Sequence, residues 1–133
     1  MTRAHARSGS PFEATAAYSR AVRVGELIAV SGTAATGPDG KALHPGDTYA
    51  QTTDCIARAL AAVDELGGAA ADVVRTRVYL THDAEWRDAV RAHAEAFAGI
   101  DPANTTLYVA GFIPEGVLVE VELDAAVPGR KDD

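Results

Sequence analysis

The chain predicts an α+β domain in which one mixed β-sheet carries two helices on one of its faces. Three observations support this. The segment from Val117 to Asp124 alternates strictly, with Val117, Val119, Val121 and Leu123 on one side and Leu118, Glu120, Glu122 and Asp124 on the other. Such period-two alternation marks a half-buried strand. Two other stretches carry apolar residues at helical spacing, the first closed by Gly67-Gly68. Two helices cover only one face of a sheet, so the second face is left for a partner or for solvent.

Taken in order, residues 1–15 are small, polar and aperiodic, which predicts a flexible arm or a segment ordered by a neighbour. Residues 18–24 and 27–33 read as two strands joined by a tight turn at Gly25-Glu26. The Gly- and Pro-rich stretch 35–46 is loop. A helix follows over 48–66, with Asp47 as N-cap and Ile56, Leu60 and Val63 on one face. Residues 72–81 form a third strand, Val74, Thr76, Val78 and Leu80 on one face and Val73, Arg75, Arg77 and Tyr79 on the other. Asp83 is expected to cap a second helix with an apolar stripe of Trp86, Val90 and Phe97. Residues 105–111 and 117–127 then close the chain as a hairpin around residues 113–116. The order is β-β-α-β-α-β-β, one domain over 16–128 with a disordered tail over 129–133.

Composition narrows the function. Hydrophobic residues make up 47% of the 133, enough for a single core and too many for a disordered chain. Nineteen acidic against twelve basic residues leave a net charge of −7, which repels a phosphate backbone and argues against nucleic acid as partner. The lone Cys55 has no disulfide partner within the chain. His5, His44, His82 and His93 show neither metal-ligand spacing nor a nucleophile partner. No apolar run approaches the roughly 20 residues that span a bilayer, and the first residues lack the apolar core of a signal peptide. A cytoplasmic protein with no membrane partner is expected.

The second sheet face is chemically mixed. Three carboxylates, Glu120, Glu122 and Asp124, project from one side of one strand, and Arg75 and Arg77 from another. Arginines opposite the acidic stripe neutralise it, across strands or across a subunit boundary. A half-apolar, charge-complementary face argues for self-association, and closed symmetric oligomers are its usual outcome.

These segments, in this order, resemble the RidA (YjgF-like) reactive-intermediate deaminases. The carriers are AYSRAVRVGELIAVSG (residues 17–32), DVVRTRVYLT (72–81), RAHAEAF (91–97), PANTT from Pro102 and IPEGVLVEVE to Glu122. The resemblance implies a chorismate-mutase-like fold and a homotrimer whose sheets close a central barrel, with ligand clefts between subunits. It implies hydrolysis of imines and enamines to a keto acid and ammonia, of the 2-iminobutanoate/2-iminopropanoate deaminase type, with no metal or organic cofactor. Translation inhibitor and ribonuclease are older labels of the family. A non-catalytic trimer that binds a metabolite or protects other proteins is the alternative to an enzyme.

Residue by residue, the resemblance places Tyr18 at the cleft tyrosine, Ser31 and Gly32 at the backbone ending the second strand, and Glu120 at the acid that positions water. Where deaminating members have Pro-Ala-Arg to clamp a substrate carboxylate, this chain has Pro102-Ala103-Asn104, and Thr106 stands at the cysteine position. Losing a charge-assisted pair costs about 1.5–3 kcal/mol, so a non-standard substrate preference is expected. Arg91 has two readings: a cation that replaces the missing arginine, or an exposed partner of Glu95 at i, i+4. Glu120 and Tyr18 have structural readings as well, as a partner of Arg75 or Arg77 and as an ordinary strand aromatic.

Overall fold

The computed structural model describes residues 2–129. They form strand β1 (Arg3–Ala6), helix α1 (Pro11–Ala16), strands β2 (Ala21–Val24) and β3 (Leu27–Thr33), and helix α2 (Thr48–Glu65). Strand β4 (Val73–Leu80), helix α3 (Trp86–Phe97) and strands β5 (Ala103–Tyr108) and β6 (Val119–Ala126) complete the series. All six strands join one mixed sheet in the order β1-β2-β3-β6-β4-β5. Only β4 and β5 pair in parallel.

This order corrects the expected C-terminal hairpin. Strand β6 enters between β3 and β4, while β5 lies on the far side of β4. A parallel pair needs a crossover, and α3 supplies it; residues 109–118 then carry the chain back across β4. Val119, Val121, Leu123 and Ala125 are fully buried on one side of β6, where they meet Cys55, Ile56, Ala59 and Val63 of α2. A strand with so continuous an apolar side gains most from a central position.

Helix α2 follows its sequence signals closely. Asp47 accepts from the Ala50 backbone N–H at 3.0 Å, and Gly67 leaves the helix at φ +89°. Helix α3 departs from them. Its N-cap is Glu85, not Asp83, and its inward residues are Ala89, Ala92 and Phe97. Trp86 and Val90 of the expected stripe are 43% and 46% exposed, and the Arg87 guanidinium lies 4.5 Å over the Trp86 ring. Small alanines let α3 lie close to its neighbours, which a search for large apolar side chains overlooks.

The N-terminal arm is also corrected. Arg3–Ala6 pair with β2 as an edge strand, and α1 follows, giving a third helix. Backbone pairing orders RAHA without any hydrophobic period. Glu13, 4% exposed, holds the connection by accepting from the Ser8 backbone N–H at 3.2 Å and from the Ser8 hydroxyl. Strand β2 begins at Ala21, so Tyr18 lies in the connection before it. In β4 a register shift between Val73 and Arg75 puts Val73 in the core and leaves Val74 half exposed; the expected inner face starts at Thr76. Apart from Gly129, the tail expected over 129–133 lies outside the described residues.

Candidate functional site

The site forms where β3 breaks step with β6. Pairing is regular up to Val30↔Leu123, then shifts so that Thr33 faces Val121. Ser31 and Gly32 fall inside this bulge, and bulges re-aim the chain beside functional clefts. The Glu120 carboxylate moves into the space that Gly32 leaves open. A Cβ at position 32 would stand 2.6 Å from Glu120 Oε1, so no other residue accommodates the acid as placed. Ser31 anchors the bulge to the preceding connection: its N–H donates to Arg20 O at 2.9 Å and its hydroxyl to Ser19 O at 2.8 Å.

Tyr18, Arg20, Gly32 and Glu120 line a cleft of about 1240 Å³ together with residues 111–114 and with Arg58, Ala61 and Glu65 of α2. Burial pushes the Glu120 carboxyl above the ordinary glutamate value; the positive charge of Arg20 opposes that shift and Glu122 adds to it. A carboxyl whose proton affinity is raised in this way, at the wall of a cleft, is suited to exchanging protons with a bound molecule. Arg20 donates from Nη2 to Gly32 O at 2.7 Å and lies 6.0 Å from the Tyr18 ring centre. The sequence reading passed over Arg20. Its one signal was the spacing Tyr18-Ser19-Arg20, which sets a cation two residues from the cleft tyrosine.

The remaining expected site residues lie elsewhere in the subunit. Asn104 and Thr106 pair in register with Thr76 and Val78, so they share the helix side of the sheet. There they join a chain of hydrogen bonds. Thr106 Oγ1 donates to Asn104 Oδ1 at 2.9 Å, Asn104 Nδ2 donates to Thr76 Oγ1 at 3.0 Å, and Thr76 Oγ1 lies 2.8 Å from His93 Nε2. Burial lowers the His93 pKa, which favours a neutral ring accepting from Thr76. Glu120 stands opposite Tyr79 on the other side of the sheet. Asn104 and Glu120 therefore belong to different faces of one subunit.

Arg91 is outside the cleft as well. Its guanidinium lies 3.7 Å over the Tyr49 ring and 3.6 Å from Asp88, while Glu95 accepts from the Tyr49 hydroxyl. The acidic stripe is neutralised within the subunit by Arg77, 3.5 Å from Glu122 and 3.4 Å from Asp124; the Tyr79 hydroxyl also donates to Glu122 at 3.0 Å. Glu120 is the member of the stripe left without such a partner. Among the described residues no group of three or more His, Cys, Asp or Glu is placed to hold a metal ion. Nor is any described helix long and apolar enough to cross a membrane.

Comparison with known proteins agrees with this fold. The family model for Endoribonuclease L-PSP matches residues 8–127. An uncharacterized protein of Streptomyces coelicolor is 41% identical over 120 residues, covering 90% of this chain and 88% of its own. A RutC family protein of Pyrococcus abyssi is 31% identical over 105 residues, 79% of this chain and 82% of its own. The crystal structure of a Mycobacterium tuberculosis member of the YjgF/YER057c/UK114 family superposes with a TM-score of 0.84 at 42% identity, covering 95% of this chain and all (100%) of that one.

Proposed function

Because the chain belongs to the Endoribonuclease L-PSP (YjgF/RidA) family, we propose that it hydrolyses imines, enamines or related reactive carbonyl intermediates in clefts between subunits of a homotrimer. The observation that carries this reading is Glu120: a half-buried carboxyl with a raised pKa, seated against Gly32 in an open cleft beside Tyr18. Glu120 takes a proton from water as the water oxygen adds to the imine carbon. The same carboxyl returns that proton to nitrogen, then takes the carbinolamine hydroxyl proton and passes it to the amine as the C–N bond breaks, which releases ammonia and leaves the carbonyl compound. Tyr18 covers the reacting group and offers its hydroxyl.

The trimer has its own support. Strand β5 is exposed along its whole length as an open sheet edge, with Leu107 and Tyr108 42% and 48% exposed. Open edges of this kind are covered in stable proteins. Association also offers a way for Asn104 and Thr106 of one subunit to reach the cleft of the next, which one sheet cannot do alone. The net charge of −7 disfavours the ribonuclease activity that the family name suggests.

The test is loss of imine, generated in situ from amino acids or amines by an oxidase and trapped with semicarbazide. Wild type should accelerate hydrolysis of at least one imine, and Glu120→Gln should lower that rate about 10²–10⁴-fold. Equal rates with and without protein, across charged and neutral imines, would remove the enzyme reading and leave a binding module.

A further inference from the structure

The cleft that holds Glu120 also collects apolar side chains that the core does not use. Ile113, at 90%, is the most exposed large apolar residue among those described, Phe12 is 52% exposed, and both line this cleft with Tyr18. A single exposed apolar residue is ordinary, but several converging on one concave site mark a place where an apolar group binds. Their exposure is built into the backbone. In α1 the usual arrangement is inverted, since Glu13 is buried while its neighbour Phe12 faces out. The contacts from Ser8 hold Glu13 inward, and Ser10 Oγ accepts from the Phe12 N–H at 3.3 Å. Ile113 stands on a segment whose far end is tied down. The fully buried Gln51 donates from Nε2 to Gly116 O at 3.1 Å and accepts from the Leu118 N–H at 2.9 Å, and Val117 between them is buried. Pro114 biases the backbone of Ile113 towards extended conformations, and its β-branched side chain has few rotamers.

We propose that Phe12 and Ile113 are specificity residues of this cleft, and that the imine or enamine taken there carries a branched-alkyl or aryl substituent that packs against them. The inference rests on the small-molecule reading of the cleft and narrows the substrate. At about 1240 Å³ the cleft is much larger than a C=N group and an attacking water require. The remaining space is bounded in part by a phenyl ring and a sec-butyl group, surfaces that gain only from an apolar neighbour. Each methylene removed from water there contributes about 2- to 4-fold in affinity. Because the two side chains are held in place before the ligand arrives, little ordering entropy offsets that gain. A substituent seated on this wall also limits how the C=N carbon can lie relative to Glu120, so the same contacts raise kcat/KM as well as affinity.

The assay is a series of 2-oxo acids and their primary amides with methyl, propyl, isobutyl and benzyl side chains, whose binding is followed by titration calorimetry without turnover. Wild type should bind the benzyl member about 10- to 100-fold more tightly than the methyl member, in whichever of the two forms binds better. Phe12→Ala combined with Ile113→Ser should shrink that spread to roughly 3-fold or less, and Phe12→Leu, which stays apolar, should keep most of it. Circular dichroism checks the fold of each variant. A flat series in wild type, no binding of any member, or a full spread in the double variant would overturn the assignment. An oligomer that falls apart in Ile113→Ser would make Ile113 an interface residue and overturn its part in it. If the spread depends on both residues but no imine is hydrolysed, the apolar wall stands and the catalytic reading fails. If imines of every side chain are hydrolysed at one rate and the spread is absent, the catalytic reading stands and the apolar wall fails.

Discussion

Replacing Gly32 by alanine should separate activity from stability in this protein. The new Cβ would stand 2.6 Å from Glu120 Oε1, against 3.4 Å for ordinary contact, so the carboxylate must retreat by about 0.8 Å. The far end of a glutamate moves cheaply, and Gly32 is not among the residues with positive φ, so alanine fits its backbone. Removing a glycine also restricts the unfolded chain, which stabilises by about 0.4–1 kcal/mol where the conformation is compatible. The fold should therefore be unchanged or slightly more stable. Catalysis should suffer, since displacement of a reacting group by about 1 Å costs up to 10²-fold. The expected result is a kcat/KM for imine hydrolysis about 10- to 100-fold below wild type, with an undiminished midpoint in thermal unfolding. A variant that turned over at the wild-type rate would falsify the acid–base role of Glu120 as placed. A clear loss of stability would show that the bulge is held by something other than the space at Gly32.

Other outcomes follow from the same coordinates. Burial raises the folded-state pKa of Glu120, so the folded form binds more protons than the unfolded one between the two values; stability from this group is present below the unfolded pKa and lost as pH rises through the folded one. Glu120→Gln should accordingly be more thermostable than wild type at neutral pH, with the gap narrowing in acid, and a gap that widened in acid would reverse the sign. Burial pushes the Cys55 thiol up to about 12, so an aromatic disulfide reagent at pH 8 should leave it untouched in the native protein and label it stoichiometrically in denaturant. Glu122→Gln weakens the contacts to Arg77 and Tyr79 within the subunit and should lower the thermal midpoint slightly while imine hydrolysis keeps its rate. An unchanged midpoint with a collapsed rate would move the catalytic role from Glu120 to Glu122.

Much of the fold was legible because its signals are local. The period of β6, the Asp47 cap and the Gly67 stop each act within a few residues, and each appears where the sequence places it. What was missed depends on distant partners. Strand β1 exists because β2 offers it an edge, and β6 sits at the centre because Val119, Val121 and Leu123 need α2 above them. The Trp86–Val90 stripe failed because alanine carries little hydrophobic signal yet decides how closely a helix packs. At the site, Tyr18, Gly32 and Glu120 line one cleft, and Ser31 anchors the bulge beside them. Asn104 and Thr106 lie across the sheet because residues two apart on β5 share the face of Thr76. Arg20 went unnoticed because a lone arginine before a strand has no pattern; only the folded cleft gives it neighbours.

The position of β6 also imposes an order on how this protein is made. Strands β3 and β4 are joined through β6 and do not pair with each other, so the sheet has a gap until residues 119–126 arrive. A ribosome that has released everything up to β5 presents two separate strand groups whose inner edges lack their shared neighbour. Those edges are open to unwanted pairing while synthesis is unfinished. Glu120 travels on the same strand that closes the gap. The step that completes the sheet therefore also delivers the acid, and a nascent chain that ends before β6 lacks the carboxyl of the proposed site.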